Sequence, residues 1–362
     1  MQPAVDVLQP ASLKREFQPP MSQLRVASQA EAASWNKSIS ALDGTIFHSA
    51  EWANATIADH PHARAIFYTL VDDDGSVAGQ AIGFRQLSAR NFAASFSGRL
   101  WLDALPAVLA QSPAASSRFL SLIERESRRA GDVTMRVGSF ASPASETILG
   151  PLGYSLSKRL EFELDLTKPE KTLWEAVDIK RRQRVRKAMK NGVEVRDLSA
   201  DEGVFQLRRL QEASFVRVVA RGGPALGKRD SVASDPINGL LGGGAGRIVG
   251  GFVGGQCVSA SFFSTFNGLA YYALSGHDDA ALTSQAPSLV LWEMVLRFKQ
   301  EGFKTLNLGG CGIGAIDVQS SEHGVYTYKK AFGGSQLVCA SGEKILRPTV
   351  RRVANLLRGV VR

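Results

Sequence analysis

From Ile248 to Gly276 the chain reads IVGGFVGGQCVSASFFSTFNGLAYYALSG, without one charged residue. A stretch of this length suits a membrane span. Its pattern argues otherwise. Glycine pairs and the Asn267-Gly268 dipeptide cut it into short pieces, and Gln256, Ser259, Ser261, Ser264 and Asn267 are polar. Phe and Tyr separated by small residues and bounded by turn signals predict neighbouring β-strands. No transmembrane helix is expected.

The flanking sequence supplies more elements. Residues 1–40 read as a weakly ordered arm. Ser49 is placed to cap a helix that carries Trp52, and ARAIFYTLVDDDGSVAGQAIGFRQLS reads as strand, acidic turn at Asp72 to Gly75, strand. A helix is predicted over about Leu109 to Arg129, a strand from Asp132, and a turn and extended pair up to about Leu166. The second half repeats the plan. One long helix is predicted from near Lys168 to Lys190, stopped by Asn191 and Gly192. VEVRDL is the strand after it, and DEGVFQLRRLQEASFVRVVA another helix. The Gly-rich loop RGGPALGKRD and the uncharged strands follow. SQAPSLVLWEMVLRFKQEG is an amphipathic helix with Pro287 in its first turn. FKTLNLGG is a strand, GVYTYKKAFGG a short helix or a strand, and SQLVCA a last strand. At 362 residues the chain suits two domains, divided as 41–166 and 167–345 with a basic tail at 346–362. The fold class is mixed α/β, with partly antiparallel sheets and no regular doubly wound repeat.

The formal net charge is +9, and part of it is local. KRRQRVRKAMK, Lys180 to Lys190, holds seven basic residues and no acidic one, and the tail is basic too. Phosphates, RNA or an anionic membrane surface at the tail are matching partners; a solvated helix face is the plain alternative. Nothing in the chain asks for DNA. Three cysteines, Cys257, Cys311 and Cys339, form no disulfide framework and point to a reducing cytoplasm. No His/Cys spacing suggests a metal. The N-terminal residues show no apolar signal core.

Three segments together carry a resemblance: RRQRVRKAMKNGVEV at Arg181 to Val195, LAYYALSGHDDAALTSQAPSLVLWEMVLRFKQEGFKTLNLGG at Leu269 to Gly310, and GVYTYKKAFGG at Gly324 to Gly334. In this order and spacing they resemble the FemAB-type and BioF2-like members of the GNAT acyltransferase superfamily, over roughly residues 40 to 340. The resemblance implies tandem GNAT-like domains with a cleft between them and acyl transfer onto an amine. It also implies one of two donors, acyl-CoA (acetyl-CoA first) or aminoacyl-tRNA. An amino sugar or a cell-envelope or polysaccharide precursor is the implied acceptor. One departure stands out. The glycine-rich diphosphate loop of an acetyl-CoA GNAT is replaced by DDAALTSQAPSLV, where Ser284, Gln285 and Ser288 are the groups left to meet a cofactor.

Acyl transfer to an amine needs a proton acceptor, a polarised carbonyl and a means of holding both substrates. Lys329 and Lys330 fall on the family's lysine positions, where one lysine neutralises an anionic group or stabilises the oxyanion; Lys329 is favoured. Their side chains diverge whether the segment is extended or helical. Asp317, in a glycine-rich loop, is a candidate amine ligand or base. His277 and Asp278, after a strand, are candidate proton acceptors. Tyr272 and Tyr326 are candidates for returning a proton to the leaving group. Arg182 and Arg186 share a helix face suited to phosphate. Trp52 and Arg99 are candidate cleft residues. Packing, capping or solvation is the plain alternative for each. The competing function classes are a non-catalytic anion-binding protein of the same fold and an RNA-binding protein.

Overall fold

The computed structural model describes residues 23–86, 98–138, 140–220 and 237–353. The RGGPALGKRD loop and residues 354–362 of the basic tail lie outside them. The first half contains β1 (Gln23–Ala27), α1 (Ala32–Ala41), α2 (Ala50–Asp59), β2 (Ala63–Val71), β3 (Val77–Gln86), β4 (Arg99–Leu102), β5 (Ala107–Val108), α3 (Pro113–Arg129), β6 (Thr134–Val137), α4 (Ser145–Leu149) and β7 (Ser155–Asp165). The second contains α5 (Glu170–Ala176), α6 (Ile179–Lys190), β8 (Glu194–Leu198), α7 (Ala200–Ala220), α8 (Ile237–Gly242), β9 (Gly246–Val253), β10 (Gln256–Phe266), β11 (Leu269–His277), α9 (Asp279–Ser284), α10 (Ala286–Gln300), β12 (Thr305–Gly312), α11 (His323–Lys330) and β13 (Ser335–Ile345).

The described strands join in one continuous sheet, ordered β1-β2-β3-β4-β6-β13-β7-β12-β11-β10-β9-β8, with β5 on β3. Most neighbours are antiparallel. Each half has one parallel pair, β4 with β6 and β11 with β12, bridged by α3 and by α10, as a crossover requires. The two pairs differ. β4 and β6 stay in register from Arg99 opposite Thr134 to Leu102 opposite Val137. β11 and β12 pair only from Leu269 opposite Thr305 to Tyr271 opposite Asn307, then part.

The uncharged run forms β9, β10 and β11, separated by turns at Gly254-Gly255 and Asn267-Gly268, while the Gly250-Gly251 pair stays inside β9. The run lacks charge because both faces of these strands are covered. Phe263 packs with Val290 and Phe298 on the α10 side, and its neighbour Phe262 packs with Leu207 and Leu210 of α7. Gly276 is required where α7 crosses β11, since a Cβ there would run into the backbone of Leu210 and Gln211. No described helix is long and apolar enough to cross a membrane.

Several boundaries differ from the sequence reading. Residues 23–40, part of the expected loose arm of residues 1–40, contain β1, paired with β2, and all but the last residue of α1, which buries Trp35 and Ile39. The long helix from Lys168 is two helices. Asp178 breaks it by capping α6, with Oδ1 accepting from the Lys180 and Arg181 amides. β7 is one long strand rather than an extended pair. GVYTYKK is helical, which settles the alternative left open for it. β13 also disturbs the division at residue 166. It belongs to the second half in sequence, yet lies between β6 and β7.

Candidate functional site

A cleft of about 460 Å³ opens where β11 and β12 part, lined from the first half by Phe47, Trp52, Trp101 and Asp103 and from the second by Tyr271, Tyr272, Gly309, Gly310 and Lys329. β12 bulges between Asn307 and Gly310. Gly309 sits there at φ +68°, with the Tyr272 carbonyl and Lys329 Nζ close to where a Cβ would stand, so only glycine leaves room. Asn307 fixes the bulge: its Oδ1 accepts from the Gly309 amide at 2.7 Å and its Nδ2 donates to Glu161 at 2.9 Å.

Glu161 is fully buried in β7. Its carboxylate also accepts from Tyr271 Oη at 3.2 Å and from the Ala141 amide at 3.1 Å. Arg159 Nε lies 3.5 Å away, close enough for charge attraction but without hydrogen-bond geometry, and the guanidinium covers the Phe140 ring at 4.9 Å. The carboxylate therefore clamps groups from β7, β11 and β12 around the gap.

Lys329 reaches this gap from α11. Its Nζ donates to the Gly310 carbonyl at 3.1 Å. Burial, helped by the nearby Arg159 cation, lowers its pKa from 10.5 to about 8. Asp103, at the end of β4, accepts from Trp52 Nε1 at 2.9 Å. Burial raises its carboxyl above the usual range, opposed by the Trp52 hydrogen bond and the Arg136 charge. Tyr272 stacks on Phe263 at 5.1 Å, and burial raises its hydroxyl pKa, so it keeps its proton at neutral pH.

The structure thus brings Lys329, Tyr272 and Trp52 to one cleft, with Arg99 in an adjoining lobe. The remaining candidates lie elsewhere. Lys330 turns away on the next helical position and donates to Tyr326 Oη at 3.1 Å, while the buried Tyr326 ring packs towards Phe162. Asp317 is exposed and accepts from the Gln319 amide. Asp278 caps α9, accepting from the Ala281 amide at 3.0 Å. His277 does not line the cleft, and burial and Arg217 lower its pKa. Arg182 is half-buried on α6, and Arg186 lies over Trp174 at 5.5 Å.

The cofactor candidates are committed within the protein. Ser284 Oγ donates to the Ala280 carbonyl at 2.8 Å. Ser288 Oγ accepts from buried Arg181 at 2.9 Å, and Arg181 also covers the Tyr328 ring at 4.4 Å. Gln285 turns back onto the Leu282 carbonyl. Ala286, Ser288 and Leu289 are all buried, so the first turn of α10 is closed by protein.

Asp103, Arg159, Glu161 and Asn307 escape a sequence reading. Glu161 is one of three acids alternating with apolar residues in LEFELDL, a pattern that reads as a solvent-facing side and does not single it out. The described residues hold no cluster able to bind a metal, and the three cysteines are free and buried.

Residues 179–330 match the family of acetyltransferase (GNAT) domains. A crystal structure of FemX is 12% identical, with 91% of this chain and 99% of that one aligned and a TM-score of 0.72. The C-terminal domain of a putative lysylphosphatidylglycerol synthetase from Agrobacterium fabrum is also 12% identical, over 89% of this chain and 97% of its own, with a TM-score of 0.51. A conserved protein of unknown function from Bacteroides thetaiotaomicron is 10% identical over 89% and 99%, with a TM-score of 0.52. No curated protein matches the sequence. At these identities the structural likeness speaks for the fold, and the matched domain for the lineage. Residues 179–330 therefore form a GNAT-type acetyltransferase domain, and the chain as a whole shares its fold with FemX.

Proposed function

We propose that this chain transfers an acyl group from an activated carrier to an amine in the cleft at Lys329. The observation that carries the reading is a lysine ammonium held on the Gly310 carbonyl, where β11 and β12 part, in the same cleft as Asp103. The acceptor amine attacks the donor carbonyl, and the Lys329 ammonium stabilises the tetrahedral oxyanion. Asp103 takes a proton from the amine. Collapse breaks the bond to the carrier, forms the amide, and returns a proton to the leaving oxygen or sulfur from Tyr272.

The closed first turn of α10 favours a donor that is not held there by a diphosphate. That supports an aminoacyl ester on tRNA over acyl-CoA. The α6 cations add support: Lys180, Arg182, Arg184, Arg186, Lys187 and Lys190 make no ion pair with a described residue, leaving them for a phosphate backbone. The acceptor class follows the family expectation of an amino sugar or an envelope or polysaccharide precursor.

The test is mass spectrometry of amine acceptors incubated with acetyl-CoA, longer acyl-CoAs or charged tRNA. Transfer from charged tRNA alone supports the reading with its donor. Transfer from acyl-CoA alone keeps the reaction and reverses the donor. Anion binding without transfer from any donor overturns the enzyme and leaves a binding protein.

A further inference from the structure

The cleft has a second lobe, of about 880 Å³, that the chemistry at Lys329 leaves unused. Its floor is one face of the first-half sheet. In the β4–β6 register Trp101 stands opposite Arg136, and Arg99 is two residues before Trp101. All three therefore project to the same side, while Leu100, Leu102, Met135 and Val137 turn into the core under α3. Ser157 and Ser341, paired across β7 and β13, extend the floor. His60 meets the Trp101 ring edge to face at 5.4 Å and forms part of the wall.

The lobe is strongly cationic. Arg99, Arg136, Lys158 and Arg159 line it against two carboxylates, Asp59 and Asp103. Lys158 is taken by Glu146 at 2.7 Å and Arg159 leans on Glu161, while Asp103 is taken by Trp52. The Arg99 and Arg136 side chains make no ion pair with any described residue. Residues 87–97, which lead into β4, contain no Asp or Glu to neutralise them. Two guanidiniums without a direct ion-pair partner among the described residues, Arg136 with only the longer-range attraction of Asp103, stand beside a half-buried indole inside a concavity and match an oxyanion attached to a ring.

We propose that this lobe seats the acceptor through a phosphate or carboxylate held by Arg99 and Arg136, with Trp101 against the ring that bears it. The protein thereby selects anionic amines over amines without an acidic group. The inference rests on the reading that transfer occurs at Lys329. Asp103 and Arg159 line both lobes, so an amine on a molecule seated in the second lobe enters the first at that junction.

The test is calorimetric titration of the full chain with glucosamine, glucosamine 6-phosphate, 2-amino-2-deoxyglucuronate and inorganic phosphate. Wild type should bind one of the acidic sugars at least about tenfold more tightly than glucosamine, a difference of about 1.4 kcal/mol. The phosphate and carboxylate arms then identify the anion. Arg99→Gln with Arg136→Gln should abolish the preference, and each single variant should weaken it, with folding checked by circular dichroism. Equal binding of glucosamine and both acidic sugars overturns the proposal, as does a preference that survives in the folded double variant. Lys329→Met separates the two readings. It should keep the binding preference and lose transfer, and normal transfer by this variant overturns the chemistry while leaving the subsite intact.

Discussion

The titration of Lys329 makes the proposed chemistry measurable. Burial first, and the Arg159 cation second, bring its pKa from 10.5 to about 8. A catalyst that needs the ammonium then loses activity as pH rises through about 8, falling about tenfold per pH unit beyond it. The assay is single-turnover transfer to an aminooxy acceptor, which is unprotonated across this range and adds no limb of its own. Lys329→Met should lower the rate about 10²–10³-fold, the effect of losing one oxyanion donor, and should erase the alkaline limb. Arg159→Gln should move that limb upward, towards 10.5, because a repelling cation is gone. Folding stability runs the opposite way. Between pH about 8 and 10.5 the unfolded chain binds the lysine proton more fully than the native one, so this group makes stability rise with pH across that window. The rise should vanish in Lys329→Met. A rate that climbs through pH 8 would make Lys329 a base and refute the reasoning, as would an unchanged alkaline limb in the methionine variant.

Other perturbations separate the site from its supports. Asp103→Asn keeps the shape and the Trp52 contact but removes the proton acceptor, so transfer should fall about 10²–10⁴-fold, read by single-turnover kinetics with little change in acceptor affinity. Glu161→Leu strands Asn307, Tyr271, Arg159 and the Ala141 amide; a loss of about 3–5 kcal/mol in urea unfolding is expected. Asp178→Ala uncaps α6 and should cost about 1 kcal/mol in the same assay while leaving transfer unchanged. Lys330→Ala, whose amine faces Tyr326 outside the cleft, should also transfer at the wild-type rate.

What the sequence makes legible is local. Gly254-Gly255 and Asn267-Gly268 mark the borders between β9, β10 and β11, because turn chemistry is written in the residues that make the turn, whereas Gly250-Gly251 lies inside β9. Lys329 is legible through its place in the YTYKK segment, and Trp52 through Ser49, which caps α2 as expected, with its Oγ accepting from the Trp52 amide. The break between α5 and α6 is harder. Lys168 to Lys190 has good helix formers on both sides, and the single Asp178 cap outweighs them through its side-chain hydrogen bonds. Asp103 and Arg159 are illegible for a different reason. Asp103 follows the short β4 and Arg159 sits inside the long β7, both in ordinary sequence, and their meaning arises only when the fold places them beside a lysine far along the chain. The Ser284–Ser288 segment misleads in the converse way: its hydroxyls suit a phosphate, and nothing local reveals that Ala280 and Arg181 already hold them.

The strand order explains why the site cannot belong to one half alone. β13 enters the first half between β6 and β7, and β7 is flanked by β13 and β12, both from the second. The exchange places Glu161, a first-half residue, directly across from β12, where its carboxylate sets Asn307 and through it the bulge at Gly309. The same strand presents Arg159 to the junction of the two lobes and to the electrostatic field of Lys329. Separating the halves at residue 166 would remove β13 from the first and leave β12 unpaired on the β7 side in the second. A buried carboxylate that joins β7, β11 and β12 therefore does two things at once. It holds the β12 bulge on which Lys329 rests, and it binds the half that would orient the acceptor to the half that would activate the donor.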